Sequence, residues 1–494
     1  MSGTETAPQV GTGEAVTREV NDFSALLTRE FKPKTDRARE AVEQAVQTLA
    51  EQALTNTTLI SGDSLRSIEA MIAALDRKLT EQVNIIMHHE DFQQLESAWR
   101  GLHYLVNNTE TDETLKIRVL NVSKKDLGRT LKKFRGTAWD QSPVFKKLYE
   151  EEYGQFGGSP YGLLIGDYYF DHAPQDVALL GDIAQVSAAA HAPFIASTAP
   201  TLLGMDSWSE LANPRDLTKI FQTPEYAAWR SLRESEDSRY LGLCMPRYLA
   251  RLPYGEKTEP VDEFHFEEDV EGGDSSKFCW SNAAYAMATN ITRAFKLYGW
   301  CTRIRGVESG GAVEGLPAFT FPTDDGGVDM KCPTEIAISD RREAELAKNG
   351  FMPLIHKKNS DFAAFIGAQS LQKPQEYDDA AATANANLSA RLPYLFASCR
   401  FAHYLKCMVR DKIGSTLSRD QLQDWLSNWI IRYVGPTDAS EEYKATHPLS
   451  EAKVILEENE ENPGYYSAKF FLKPHYQLEG LTVSLRLVSR VPTA

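Results

Sequence analysis

The sequence predicts a mixed protein of class α/β (α+β in part): a helical N-terminal region, a parallel-rich α/β domain, and a C-terminal α+β region ending in a β-hairpin. Three observations predict it. From Thr35 to about Asn108, Ala, Glu, Gln, Leu and Arg dominate, and apolar residues recur every three or four positions, the helical period. From about 111 to 254, short apolar runs alternate with helical segments, the pattern of a mainly parallel sheet with helices on its faces. At the end, Leu481, Val483, Leu485 and Leu487 alternate with Thr482, Ser484 and Arg486, the period of a half-buried strand.

Residues 1–16 are small, polar and Gly-rich, and read as a disordered tail. In the segment 17–33, NDFSALLTREF places Phe23, Leu26, Leu27 and Phe31 at helical spacing, with Asp22 as N-cap and Pro33 as the stop. This short helix either packs on its own core or is a docking peptide read through its apolar face. A helical region, 35–110, follows. The domain at 111–254 then offers strands at LKIRVLNV (115–122), YGLLIGDYYF, PFIAST and YLGLCMPRYL. SKKD (123–126) opens a helix with a capping box, a second helix follows Pro174, and EYAAWRSLRES supplies a third. An acidic loop, 255–277, separates this domain from the last, 278–494. There the sequence predicts a helix in SNAAYAMATNITRAFKLYGW, a strand in EIAISD, and long helices at 379–411 and 418–433. The closing hairpin is read as GYYSAKFFLKP followed by LTVSLRLVS.

Composition excludes several function classes. The 494 residues carry a net charge of −16, unsuited to nonspecific nucleic-acid binding or to anionic lipid. Six cysteines without CxxC spacing suggest free thiols in a reducing compartment rather than a disulfide or zinc framework. The start has no signal-peptide character, and VALLGDIAQVSAAAHAPFIAS is too polar to span a bilayer, so a cytoplasmic protein is expected. No phosphate loop is present, since GVESGGAVEG lacks the lysine and the strand-to-helix setting. His88, His89, Glu90 and Asp91 sit side by side, but neighbours on a helix diverge by about a hundred degrees and cannot face one ion. Asp324, Asp325 and Asp329 lack the later Glu of a calcium loop. No catalytic residue, cofactor or metal ligand is expected. The alternative from a second class is an α/β enzyme holding a small ligand at the carboxyl ends of its strands.

Long stretches resemble the large sheath subunits of type VI secretion systems, the TssC, VipB, EvpB or ImpC family. They include FSALLTREFKPKTDRAREAVEQAVQTLAEQAL, LESAWRGLHYLV, YGLLIGDYYFDH, YLGLCMPRYLARLPYG, DMKCPTEIAISDRREAELAKNGFMPLIHKKNSDFAAFIGAQSLQKP and ARLPYLFASCRFAHYLKCMVRDKIGS. The resemblance runs from about residue 20 to the end. It implies a structural protein related to the core of contractile phage tail sheaths. Such a protein pairs with a small sheath subunit (TssB/VipA type) and polymerises with neighbouring protomers around an inner tube (Hcp type) on a baseplate. Contraction drives the tube and its spike outward. A hexameric AAA+ ATPase (ClpV type) recycles the contracted sheath. The resemblance assigns ATPase recognition to Phe23, Leu26, Leu27 and Phe31, and favours docking for that helix. It also implies strands exchanged between neighbours, which would place Leu481, Val483, Leu485 and Leu487 in an inter-protomer strand. A phage-type tail sheath that assembles without a small partner is the narrower alternative.

Overall fold

A computed structural model of the chain describes residues 44, 64–136, 138–213, 216–271, 274–323, 326–416, 418–458, 466–475 and 477. These form two compact units. The smaller holds helix α1 (Ser64–Met87) and Pro253–Asp269. Its centre is Asn84, a buried side chain that treats the loop backbone as a strand would: Nδ2 donates to Glu267 O at 3.0 Å, and Oδ1 accepts from Asp269 N at 2.8 Å. His88 lies 3.6 Å from the buried carboxylate of Glu268.

The larger unit, Glu90–Leu252 with the described residues from Val270 onward, is built on a six-stranded sheet of order β1-β2-β3-β9-β10-β6. Strands β1 (Leu164–Phe170), β2 (Phe194–Thr198), β3 (Leu241–Met245) and β9 (Phe351–His356) run parallel. β10 (Ala363–Phe365) and β6 (Ala312–Val313) continue the sheet antiparallel. Helices cover both faces, so the central strands are apolar on both sides rather than alternating. Phe194, Ala196, Leu243 and Phe351 face one core with helices α3 (Lys124–Lys133), α4 (Pro174–Ala190) and α5 (Ala227–Glu234). Ile195, Cys244 and Met352 face the other, with helices α6 (Ala283–Tyr298) and α9 (Leu392–Lys412). Between these last two in sequence come α7 (Asp340–Lys348) and α8 (Ala380–Ser389), and after them α10 (Arg419–Ile430). Short antiparallel pairs join β4 (Tyr248–Leu249) to β5 (Trp280–Ser281) and β7 (Thr320–Pro322) to β8 (Val328–Met330).

A third core gathers Trp300, Phe401 and Leu405 with Leu426 and Ile430 of α10. It is closed by a hairpin of β11 (Leu449–Glu458) and β12 (Tyr466–Pro474), whose inward residues are Val454, Leu456, Phe470 and Leu472. This sheet has two strands, and a single bridge, Val434 to Leu449, is its other backbone pairing among the described residues. Among the described residues no other strand pairs with its outer edges.

The parallel sheet and most helices match the sequence expectation, and four readings need correction. LKIRVLNV is extended but forms no strand, because no backbone among the described residues pairs with it. EIAISD is not a strand either: Ser339 stands at the N-cap position of α7, and the strand that follows is FMPLIH. The helix expected at 379–411 is two helices, separated at Ala390–Arg391, where Pro393 starts a new N-terminus. Strand β12 pairs with β11, an upstream strand that the sequence reading did not include, and LTVSLRLVS, the second strand of the expected closing hairpin, lies outside the described residues. The helical region breaks after Met87 and resumes at Glu90. Asp324 and Asp325 lie outside the described residues, as do nearly all positions of 35–63.

Candidate functional site

Helix α2 (Glu90–Asn107) has two faces. One is spent on packing: Ser97 Oγ donates to Trp280 O at 2.6 Å, and Leu105 is buried. At Gly101 the helix backbone approaches α6 so closely that an added Cβ would sit 2.4 Å from the Tyr285 ring, so any larger residue would force the helices apart. Glu96 anchors the same helix through Arg251 at 2.6 Å and Arg100 at 2.8 Å. Burial pushes its carboxyl upward, but these guanidinium bonds outweigh that and hold it below the usual range.

The other face of α2 is apolar and open. Phe92, Leu95, Trp99 and Val106 recur at helical spacing, and Leu95 and Trp99 are 57% and 67% exposed. A scattered exposed leucine is ordinary; a periodic stripe with a tryptophan at its centre marks a surface made to be covered. The stripe borders a cleft of about 2200 Å³. Leu102, Ile117, Ile165 and Tyr285 line one wall, and Leu127, Leu131, Val144 and Leu148 line another.

Crossing the cleft mouth is the extended segment 115–122, with Val119 68% and Leu120 55% exposed. Side chains hold it at its middle and at its C-terminal end. Arg118 pairs with Glu152, which sits on a π-helical stretch (Lys146–Gly154), and donates to Tyr161 Oη at 3.2 Å. Tyr168 Oη donates to Val122 O at 2.7 Å, and Lys124 Nζ donates to Tyr169 O at 2.6 Å. Burial raises the Asp167 carboxyl above its ordinary range, against the opposing bonds from Asn282 and Tyr285.

His403 is 2% exposed, and burial lowers its imidazole to about 4, with Arg400, His191 and Lys406 adding to the effect against the bond from Nε2 to Ala190 O. The folded state therefore resists a proton that the unfolded chain accepts. Its contribution is intact above pH 6.5 and is lost as pH falls towards 4. The expected loss is about 3 kcal/mol from this one residue. Urea unfolding at pH 7 and pH 4.5 checks it: His403→Gln should show a flatter pH dependence than the parent, and equal dependence would remove His403 as the cause.

The residues singled out from sequence, Phe23, Leu26, Leu27 and Phe31 and then Leu481, Val483, Leu485 and Leu487, lie outside the described residues. What the sequence reading passed over is the specific stripe on α2, whose signal was the spacing 92, 95, 99 and 106. Among the described residues one trio, Glu256, His265 and Glu267, brings possible ligand atoms within 4.8 Å, all three exposed, as acidic surface groups commonly are without an ion. Also among the described residues, no helix is long and apolar enough to cross a membrane.

Comparison with known proteins gives this surface its setting. Residues 69–372 match the family model described as EvpB/VC_A0108, tail sheath N-terminal domain, and residues 381–491 match the EvpB/VC_A0108 tail sheath gpW/gp25-like domain. The chain belongs to the EvpB tail sheath family. This EvpB-family chain is 74% identical over 484 residues to "Type VI secretion system sheath protein TssC1" of Pseudomonas aeruginosa strain PAO1, covering 98% of this chain and 97% of the relative. It serves as a type VI secretion sheath protein. Two cryo-EM structures of the anti-feeding prophage are distantly similar to it. One is the baseplate, at TM-score 0.39 and 12% identity, covering 76% of this chain and 84% of that one. The other is the contracted helical sheath, at TM-score 0.31 and 11% identity, covering 63% and 66%.

Proposed function

We propose that this chain is the large subunit of a two-component contractile sheath, and that a small sheath subunit covers the α2 stripe and fills the cleft beside it. The observation that carries the reading is the open apolar face: Leu95 and Trp99 stand in water beside a cleft with apolar walls, in a family of assembly proteins. The pair then polymerises helically around an inner tube of the Hcp type on a baseplate, and contracts to drive tube and spike outward. The role is mechanical, without catalysis, and is carried out in the cytoplasm. Strand exchange between neighbours suits a protein whose β11–β12 sheet gains no further strand among the described residues, since an unprotected edge polymerises. The test is co-expression with a small sheath subunit of the TssB/VipA type. A stable complex of the two chains is expected; a chain that stays monomeric and soluble at high concentration and ignores the small subunit would overturn the reading.

Recycling by an AAA+ ATPase of the ClpV type falls, in the same reading, to the helix in 17–33. Replacing Phe23, Leu26, Leu27 and Phe31 by Ala removes an apolar face in which each side chain contributes about 1.5–3 kcal/mol when buried. Assembly should survive while ATPase binding falls below detection. Disassembly of variant sheaths at the normal rate would make that helix structural instead.

A further inference from the structure

We infer that Cys332 and His356 form a thiol–imidazole pair whose sulfur exchanges with small disulfides of the glutathione type and carries a mixed disulfide. This modification site lies outside the sheath role and needs no second subunit.

The two residues reach each other from separate elements. Cys332 follows β8, and His356 is the last residue of β9, at the carboxyl end of the parallel strands, where open sheets of this kind hold their ligands. Their side chains are hydrogen-bonded. Both supports are stiff. Residues 333–335 are tied to the chain after β3: Leu249 N donates to Pro333 O at 2.8 Å and Glu335 N to Arg247 O at 2.9 Å. Arg247 also holds the Glu335 carboxylate through two bonds of 2.7 and 2.8 Å. On the other side, β10 pairs His356 with Ala363, and His356 Nε2 lies 2.8 Å from Ser360 O. A carbonyl only accepts, so Nε2 carries a proton and the other ring nitrogen is left for the thiol. Thr334 completes the cradle, with Oγ1 3.2 Å from the sulfur.

These groups favour a thiolate beside an imidazolium. Burial pushes the Cys332 thiol up, but the bonds from His356 and from the hydroxyl and amide of Thr334 outweigh it and hold the thiol below its ordinary value. Burial likewise lowers His356, and its bonds to Cys332 and Ser360 carry it above the usual range. The Lys331 ammonium adds positive charge and is itself flanked by Asp274 and Glu335. Most other thiols are placed differently: burial pushes Cys279, Cys301 and Cys399 up to about 12 and raises Cys244 as well. Cys407, partly exposed with Arg410 Nη2 3.6 Å from its sulfur, is the competitor. The thiolate is the nucleophile, so reaction falls to Cys332, which is partly exposed. Its sulfur attacks one sulfur of the reagent R–S–S–R. That bond breaks as Cys332–S–S–R forms, and the leaving RS⁻ takes the proton of His356. The thiol is oxidised, half of the reagent is reduced, and no further oxidant is needed.

Alkylation of the whole chain by iodoacetamide, read peptide by peptide from pH 6 to 10, tests the pair, and glutathione disulfide tests the exchange. Cys332 should react first at pH 7, with a midpoint below the value of about 8.5 for a free thiol. It should also take up one glutathione that dithiothreitol releases. His356→Gln should slow Cys332 by about tenfold or more at pH 7 and move its midpoint up, with Cys407 unaffected. Melting checks that this variant folds; if it does not, the parent profile decides alone. A Cys332 midpoint at or above about 8.5, another thiol reacting ahead of it, or a folded variant reacting at the parent rate would overturn the pair. Alkylation without glutathione uptake would overturn the exchange.

Discussion

A chain carrying Leu95→Glu and Trp99→Glu is expected to fold as the parent does and to lose its small subunit. Folding is spared because both side chains already stand largely in solvent, while the residues that fix α2, Ser97, Gly101 and Leu105, are untouched. Binding is not spared. Each apolar side chain is worth about 1.5–3 kcal/mol on burial, so the pair accounts for about 3–6 kcal/mol, or roughly 10²–10⁴-fold in affinity. Two carboxylates forced into an apolar contact without partners add further cost. Circular dichroism and melting of the variant should overlay the parent, and co-purification should fail. A variant that co-purifies normally would move the partner surface away from α2.

Deleting residues 480–494, or placing Asp at Val483 and Leu485, should block sheath polymerisation and secretion while the two-chain complex persists. Burying Leu481, Val483, Leu485 and Leu487 offers roughly 6–12 kcal/mol as an upper bound. Fixing one protomer against another costs an estimated 4–15 kcal/mol, so one such contact is marginal on its own. Within a lattice it is not, because a protomer already held at other contacts closes the link at high effective concentration. A sheath that slides between two states without coming apart needs links of this kind. Mass measurement of the purified complex, with imaging for tubules, separates the outcomes. Normal tubules would confine the strand to its own chain, and loss of the complex would place it in the core.

The parallel sheet was legible because its strands announce themselves. PFIAST and YLGLCM are short runs buried on both faces, bounded by turns, and the helices between them have clear starts such as Pro174. β9 escaped because Pro353 interrupts FMPLIH, and a proline usually argues against a central strand. The alternating Ile336 and Ile338 of EIAISD drew the assignment instead. β11 escaped because Glu451, Lys453 and Glu457 dilute the alternation of Val454 and Leu456. LKIRVLNV is the more instructive case: its intrinsic preference was read correctly, yet a strand exists only when something pairs with it, and local sequence cannot say whether the partner lies in the same chain. The cleft itself was not legible at all. It arises where residues near 100, 117, 165, 285 and 400 converge, and no local pattern records that meeting.

The central claim is that this chain is one half of a sheath wall, incomplete without a small subunit. Electron microscopy of the chain expressed with and without that subunit tests it most directly. Striated tubules from the co-expressed pair, and none from the chain alone, are the expected result. Ordered tubules from the chain alone, as a phage-type sheath would form, would contradict it.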